Sequence, residues 1–354
     1  MSDKRIILTG GGTAGHVTPN LALLPYLQKE GFEVVYIGSK YIESEIIPPY
    51  NIPYYSVDTG MLRRYKTWKN LTDPFKVFKG IFQSCRVIRK FKPNVIFSKG
   101  GFVGLPVAYA GWLCHVPVVI HESDMTPGLA NKLSLPVVKK ICCNFPESAQ
   151  NLSKKKAVLT GSPIRDELFT GDRNKGKSMC GFTSDLPVIM VIGGSLGAAS
   201  VNKAVRESLP VLLKDFNIVH ICGKDKKDLS LENTPGYTQF EYVSEGLNDI
   251  FALSDLVISR SGANSICEIL ALKKPNLLIP LVKASRGDQI LNARSFESQG
   301  YSMVLPDDEC TSEKLCESVN TLYADREKYI KAMEQSSIKD GISSIIEVIK
   351  KVMK

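Results

Sequence analysis

The sequence predicts an α/β protein of two domains, each a doubly wound, Rossmann-like parallel sheet. Three observations predict it. Strand-like and helix-like segments alternate along the chain, the order that builds parallel sheets with crossover helices. A strand, a GGxxG turn and a helix stand together at residues 11–15 and again at 193–197. The length of 354 residues suits two cores of roughly 100–200 residues each.

Residues 5–8 form a short β-prone run, 10–16 a glycine-rich turn, and 19–30 an apolar-periodic helix closed by Gly31. Residues 34–37 return as the second strand, and alternation continues with a strand at 95–97, a helix at 106–113 and strands at 118–121 and 139–142. The stretch VGLPVAYAGWLCHVPVVI, 103–120, approaches the ~20 residues of a membrane-spanning helix. Pro106 suits a first helical turn, however, and His115 and Pro117 end that helix ahead of the β-branched Val118, Val119 and Ile120, so a helix followed by a buried strand is expected. After Thr160-Gly161-Ser162-Pro163 the pattern restarts: a strand at 188–192, the second glycine turn, a helix from about Ser200, then strands at 256–258, 276–279 and 302–304 interleaved with helices at 263–272 and 289–299. The expected domains are 1–161, joined by a C-terminal helix at about 336–354, and 162–335.

Composition excludes several classes. With 44% hydrophobic and 23% charged residues and no low-complexity tract, the chain is neither disordered nor fibrous. Only Ile6, Ile7 and Leu8 precede the first glycines, too little for an export signal. The nine cysteines include no CxxC pair or zinc-ligand spacing, so reduced thiols are expected and no metal site. The net charge of +9 is local: residues 63–92 carry ten cations and one acid, and the remainder balances at 35 of each sign. Trp68, Phe75, Phe78 and Phe82 lie among those cations, and the last three share one helical face with Lys76 and Lys79 nearby. Such a helix rests on an anionic bilayer surface. Aromatics and cations also suit nucleic acid, but no nucleic-acid-binding module accompanies them, and no such partner is expected.

Ligands of open α/β sheets bind beyond the carboxyl ends of the strands, so two such domains are expected to place their loops around a shared cleft. Gly10, Gly12 and Gly15 match the dinucleotide fingerprint in letters, yet Tyr36-Ile37-Gly38-Ser39-Lys40 ends the next strand without the ribose-binding acid. Small residues there still admit a diphosphate to backbone N–H groups. His16 follows directly, a candidate general base or phosphate contact. A second glycine turn at 98–104 adds the cation Lys99 beside Gly100 and Gly101, and two such turns can share one diphosphate. Glu122, Ser123 and Asp124 end a strand, placed for sugar hydroxyls, for base catalysis, or for capping the next helix. In the second domain Arg260-Ser261-Gly262-Ala263-Asn264 opens a helix that carries Glu268, suited to a ribose diol, and Asp288-Gln289 opens another, suited to a sugar.

Taken together, GGGTAGHVTP at 10–19, SKGGFVGLP at 98–106, HESDMTPGLANK at 121–132, TGSPIR at 160–165, GGSLGAASVN at 193–202, SRSGANSICE at 259–268 and DQILNA at 288–293 closely resemble the MurG family of bacterial peptidoglycan glycosyltransferases, essentially end to end. The resemblance implies a GT-B fold and inverting transfer of N-acetylglucosamine from UDP-N-acetylglucosamine to an undecaprenyl-diphosphate-linked muramoyl-pentapeptide, at the cytoplasmic side of the cell membrane, with no cofactor. It implies that Glu268 holds the ribose, the backbone near Val243 the uracil, and Arg165, Ser195 and the Ala263 helix end the donor diphosphate. Asp288 and Gln289 would read the glucosamine hydroxyls, with Thr13, Ala14, Gly15 and Asp124 also near the donor. The acceptor diphosphate would meet Gly12, Thr13, His16, Lys99, Gly100 and Gly101, with His16 ahead of Asp124 and Glu122 as base. Asp124 and Asp288 depart from the asparagine and glutamine that other members carry. A GT-B transferase acting on another lipid such as diacylglycerol, or a non-hydrolysing UDP-sugar epimerase, shares much of this pattern.

Overall fold

The apolar run Ile6, Ile7 and Leu8 is fully enclosed at the middle of a parallel sheet. The structure is a computed structural model describing residues 4–60, 69–194, 197–282, 287–336, 338 and 341–353. Its chain divides into two units, Met1–Ile164 with Ile338–Lys354, and Arg165–Ser337.

The first unit holds β1 (Lys4–Thr9), β2 (Phe32–Gly38), β3 (Tyr54–Ser56), β4 (Val95–Ser98), β5 (Val118–Glu122), β6 (Lys140–Cys143) and β7 (Ala157–Leu159), in the order β3-β2-β1-β4-β5-β6-β7. Every pairing is parallel; Ile6 lies opposite Val34 on one side and Val95 on the other. Parallel strands covered on both faces read as continuous apolar runs, which is why these were visible in the sequence. One face packs against the helix Thr18–Lys29 and the terminal helix Gly341–Val352, which contributes Ile342, Ile345, Ile346, Val348 and Ile349. The other face packs against Lys69–Phe91, through Cys85 and Ile88, and Gly104–Leu113, through Val107 and Ala108. The stretch 103–120 is therefore a helix and then β5, and among the described residues no helix is long and apolar enough to cross a membrane.

From β1 the chain moves outward to β2 and β3, then returns to β4 on β1's other side. This reversal opens a crevice where no crossover helix covers the strand ends. The glycine turns after β1 and β4 both emerge there.

The second unit repeats the scheme with β8 (Val188–Ile192), β9 (Asn217–Ile221), β10 (Tyr237–Phe240), β11 (Leu256–Ser259), β12 (Asn276–Leu278) and β13 (Met303–Val304), ordered β10-β9-β8-β11-β12-β13. Its reversal falls at β8 and β11, again the strands followed by the predicted turns. Four strands, β3, β7, β9 and β10, were not anticipated. Two have three residues each, and β9 opens on Asn217 and breaks its apolar run at His220. His220 is buried because Tyr237 Oη and Asn202 Oδ1 lie 2.9 and 3.0 Å from its two ring nitrogens, and burial holds its pKa down at about 3.

Candidate active site

In the first unit, the chain leaves β1 through Gly10, Gly11 and Gly12, the last at φ 87°. Gly11 is pressed against the side chain of Glu43, where a Cβ would overlap the carboxylate. Glu43 is fully buried. Its Oε1 accepts from Ser39 N at 2.8 Å and Ser39 Oγ at 2.5 Å, and its Oε2 accepts from Gly12 N at 3.1 Å. Burial, reinforced by the Glu43 charge, pushes the neighbouring Tyr54 hydroxyl far above its ordinary pKa. Deeper in, Asn20 Nδ2 donates to Thr9 O at 3.0 Å, and Tyr36 Oη donates to Gly10 O at 2.7 Å. The turn is thus pinned at Thr9, Gly10 and Gly12, with Thr13 and Ala14 exposed beyond it.

The second turn runs through Gly100 at φ 87° and Gly101 at φ 76°. Gly101 abuts the Gly11 carbonyl so closely that a Cβ has no room, and the two turns touch backbone to backbone. His16 Nδ1 stands 3.0 Å from Lys99 O. A carbonyl only accepts, so the hydrogen lies on Nδ1 and the lone pair on Nε2, the tautomer a base acting through Nε2 requires.

Lys99 departs from expectation. Its main chain still follows the sheet, donating from N to Thr9 O at 2.9 Å, and its side chain turns inward instead of standing on the turn. It is 1% exposed, and the ammonium donates to His121 Nδ1 at 2.7 Å and Ser123 Oγ at 2.6 Å. Glu122 is corrected in the same way. It is buried, accepting from Asp124 N at 3.1 Å, Gly128 N at 2.9 Å and Asn131 Nδ2 at 2.8 Å, so it shapes the loop 123–128 instead of facing substrate. Burial raises its pKa against the pull of those donors. Asp124 is partly exposed. The helix Leu129–Ser134 begins after Gly128 without a side-chain cap, so neither Ser123 nor Asp124 caps it.

In the second unit, the turn after β8 brings Gly197, at φ 65°, against the Cys222 carbonyl at the end of β9, again leaving no room for a Cβ. Ser195 lies outside the described residues. The helix Ala263–Ala271 starts after Gly262 with no side-chain cap, and open space surrounds the position a Gly262 Cβ would take. Glu268 Oε1 lies 3.8 Å from Arg165 Nη2, so two residues about 100 positions apart form one partly buried ion pair. Burial pushes the Glu268 carboxyl up, and Arg165 opposes it. Gln289 Oε1 accepts from Leu281 N at 3.0 Å while its main-chain oxygen accepts from Ser261 Oγ at 2.7 Å, so Gln289 is fixed to the Arg260–Gly262 segment. Asp288 begins its helix directly after Gly287, and Val243 is buried beside the exposed Tyr242.

Sequence reasoning missed Glu43 and Asp307. Glu43 comes five residues after β2, past the strand end where an acid was sought. Asp307 follows β13 and accepts from Arg260 Nη1 at 2.7 Å, while Arg260 Nη2 donates to Ser200 Oγ at 2.8 Å, binding the loops after β11 and β13 to the first turn of the helix Ala199–Leu212 that follows β8. No local motif marks either residue.

The basic helix Lys69–Phe91 turns its aromatics outward: Phe75, Phe78 and Phe82 are 75%, 63% and 75% exposed. Trp68 lies outside the described residues. Lys76 and Lys79 are not wholly surplus charge, being paired with Asp73 at 3.0 Å and Asp58 at 2.6 Å. Arg86, Arg89 and Lys90 are exposed farther along, and the packed neighbouring helix exposes Trp112 and Leu113.

Two Rossmann-like units with glycine turns at both reversals are the architecture of the GT-B fold, the fold of many glycosyltransferases. Known proteins agree. The glycosyltransferase family 28 N-terminal domain matches residues 6–143 and the family 28 C-terminal domain residues 188–349. A protein of Lachnospira eligens named UDP-N-acetylglucosamine–N-acetylmuramyl-(pentapeptide) pyrophosphoryl-undecaprenol N-acetylglucosamine transferase is 59% identical over 349 residues, 98% of this chain and 99% of that one. One of the same name from Clostridium tetani is 56% identical over 350 residues, 98% of each. The crystal structure of Acinetobacter baumannii MurG superposes with a TM-score of 0.79 at 26% identity over 99% of both chains. A Listeria monocytogenes structure described as a UDP-N-acetylglucosamine 2-epimerase superposes at 0.72 with 15% identity, covering 99% of this chain and 96% of that one, a likeness of fold alone. The chain belongs to glycosyltransferase family 28.

The contact of the two turns makes a comparison of glycines informative. Gly181 and Gly101 both have positive φ, but only Gly101 faces a backbone atom where its Cβ would go. Gly181→Ala is expected to cost about 1 kcal/mol, the left-handed strain alone, and Gly101→Ala clearly more. Urea unfolding of both variants measures the difference; equal losses would show that the turns are not in contact.

Proposed function

We propose that this chain transfers N-acetylglucosamine from UDP-N-acetylglucosamine to undecaprenyl-pyrophosphoryl-N-acetylmuramoyl-pentapeptide in peptidoglycan synthesis. The observation that carries the reading is full-length identity of 59% to a relative named for that reaction, with the matching motifs at the strand reversals. In this reading the second unit holds the donor. Glu268 accepts hydrogen bonds from the ribose diol, Val243 offers its backbone to the uracil, and Arg165, Ser195 and the Ala263 helix end meet the diphosphate. Asp288 and Gln289 address the sugar. The first unit receives the acceptor, whose diphosphate lies on the turns carrying Gly12, Thr13, Gly100 and Gly101, with Ala14, Gly15 and Asp124 toward the transferred sugar.

The acceptor hydroxyl attacks the anomeric carbon from the face opposite UDP and its proton passes to His16 Nε2. The bond to the diphosphate oxygen breaks, and UDP leaves with the electron pair, its added charge stabilised by Arg165 and the helix N–H groups. Inversion follows from the single displacement.

The direct test supplies UDP-N-acetylglucosamine with and without the detergent-solubilised lipid acceptor and measures UDP release. Release should depend on that lipid; release that ignores it, or follows diacylglycerol, overturns the reading. Glu268→Ala should weaken UDP binding by about 10- to 100-fold, the worth of a charge-assisted pair of hydrogen bonds, and unchanged affinity removes its ribose role.

We further infer that the chain works at the cytoplasmic face of the membrane, resting on Phe75, Phe78 and Phe82 with the surrounding cations, including Lys76 and Lys79, against anionic headgroups. The outward aromatic stripe supports this. Binding to vesicles containing anionic lipid should weaken as salt rises, and Phe78→Ser with Phe82→Ser should reduce it at every salt concentration. Equal binding to neutral vesicles at all ionic strengths removes the electrostatic part.

A further inference from the structure

Lys99 carries a charge inside the first unit that the reaction above does not use. We propose that Lys99 is a positioning residue for acceptor chemistry, its ammonium fixing His121 and Ser123 and its carbonyl fixing His16, so that the ends of β4 and β5 and the first glycine turn are aligned together. The inference rests on the acceptor being received by these turns.

The donors and acceptors assign themselves. His121 Nε2 lies 3.0 Å from Gly161 O, which only accepts, so Nε2 carries the hydrogen and Nδ1 the lone pair. Lys99 Nζ, with hydrogens only to give, stands 2.7 Å from that Nδ1 and 2.6 Å from Ser123 Oγ. Burial, with the Lys99 charge, holds His121 well below the ordinary histidine pKa, keeping it neutral and able to accept. Ser123 in turn gives its carbonyl to Asn144 Nδ2 at 3.0 Å, extending the network to the end of β6. On its main chain Lys99 reaches Thr9 O through N and His16 Nδ1 through O. An apolar side chain of the same length would fill this space without desolvating a charge, so packing alone does not account for an ammonium here.

Lys99→Met keeps length and volume and removes the donor. In full-length protein, kcat should fall by about tenfold or more and the KM for the lipid acceptor should rise, with the KM for UDP-N-acetylglucosamine unchanged. Nitrogen-15 NMR should show the His121 Nδ1 resonance shifting as it loses the ammonium donor, while Nε2, still held by the Gly161 carbonyl, keeps its hydrogen, a one-sided change that mere loosening of the fold does not produce. Wild-type kcat and acceptor KM in Lys99→Met, or an unchanged His121 Nδ1 resonance, overturns the proposal. Should Lys99→Met fail to fold, Ser123→Ala leaves the ammonium in place and removes one partner; a smaller fall in kcat at constant donor KM is expected, and wild-type kinetics overturns the proposal. Wild-type protein that does not transfer to the lipid defeats the functional reading itself, whereas active wild type with an indifferent Lys99→Met defeats this inference alone.

Discussion

The contact of Gly101 with the Gly11 carbonyl brings the turns after β1 and β4 together at the reversal of the first sheet. Parallel strands end with their last backbone groups unpaired, and a doubly wound sheet exposes them where its connections diverge. Side chains on both turns would hold them apart. Glycine at both positions closes the gap, and the positive φ of Gly12, Gly100 and Gly101 directs the chains across it. His16 sits where it does because of that approach, its Nδ1 reaching Lys99 O of the other turn.

Two buried charges support the contact from below. Glu43 takes the Gly12 amide and Lys99 takes His121 and Ser123, each charge satisfied by groups of the loops it holds. An unpaired ion inside a protein costs several kcal/mol, so these loops are tied strongly to the charges that would otherwise be orphaned. The Gly12 amide already has a carboxylate partner, which places a negative charge behind the first turn. Lys99 places a positive charge behind the second. The first unit therefore has an electrostatic direction across its two glycine turns, negative behind the first and positive behind the second. In the second unit Arg260 acts comparably, joining Ser200, Ile279 and Asp307, while Arg165 and Glu268 pair with each other.

The strands that carry these turns were legible because buried parallel strands advertise themselves as apolar runs, and glycine turns because only glycine accepts the backbone they need. The pairing of Arg165 with Glu268 was legible only as two separate expectations. What stayed hidden were long-range partners. Nothing around Glu43 marks it as the acceptor for Gly12, 31 residues earlier, and a lysine in a glycine loop reads as a surface cation until the sheet shows that its backbone is still paired. Glu122 misled for the same reason: a strand-end acid looks exposed until the loop 123–128 folds its amides onto it. The short edge strand β3 and the polar β9 lacked the periodic signal that the other strands carry.

If the glycine turns of the first unit are organised before any substrate arrives, the amides bonded to buried carboxylates should be protected in the protein alone. Native-state hydrogen exchange at Gly12, held by Glu43, and at Gly128, held by Glu122, measures this directly. Preorganisation predicts exchange slower by about 100-fold or more than in an unstructured chain, with little change when the lipid acceptor is added. Exchange at unprotected rates that slows only on acceptor binding would contradict it.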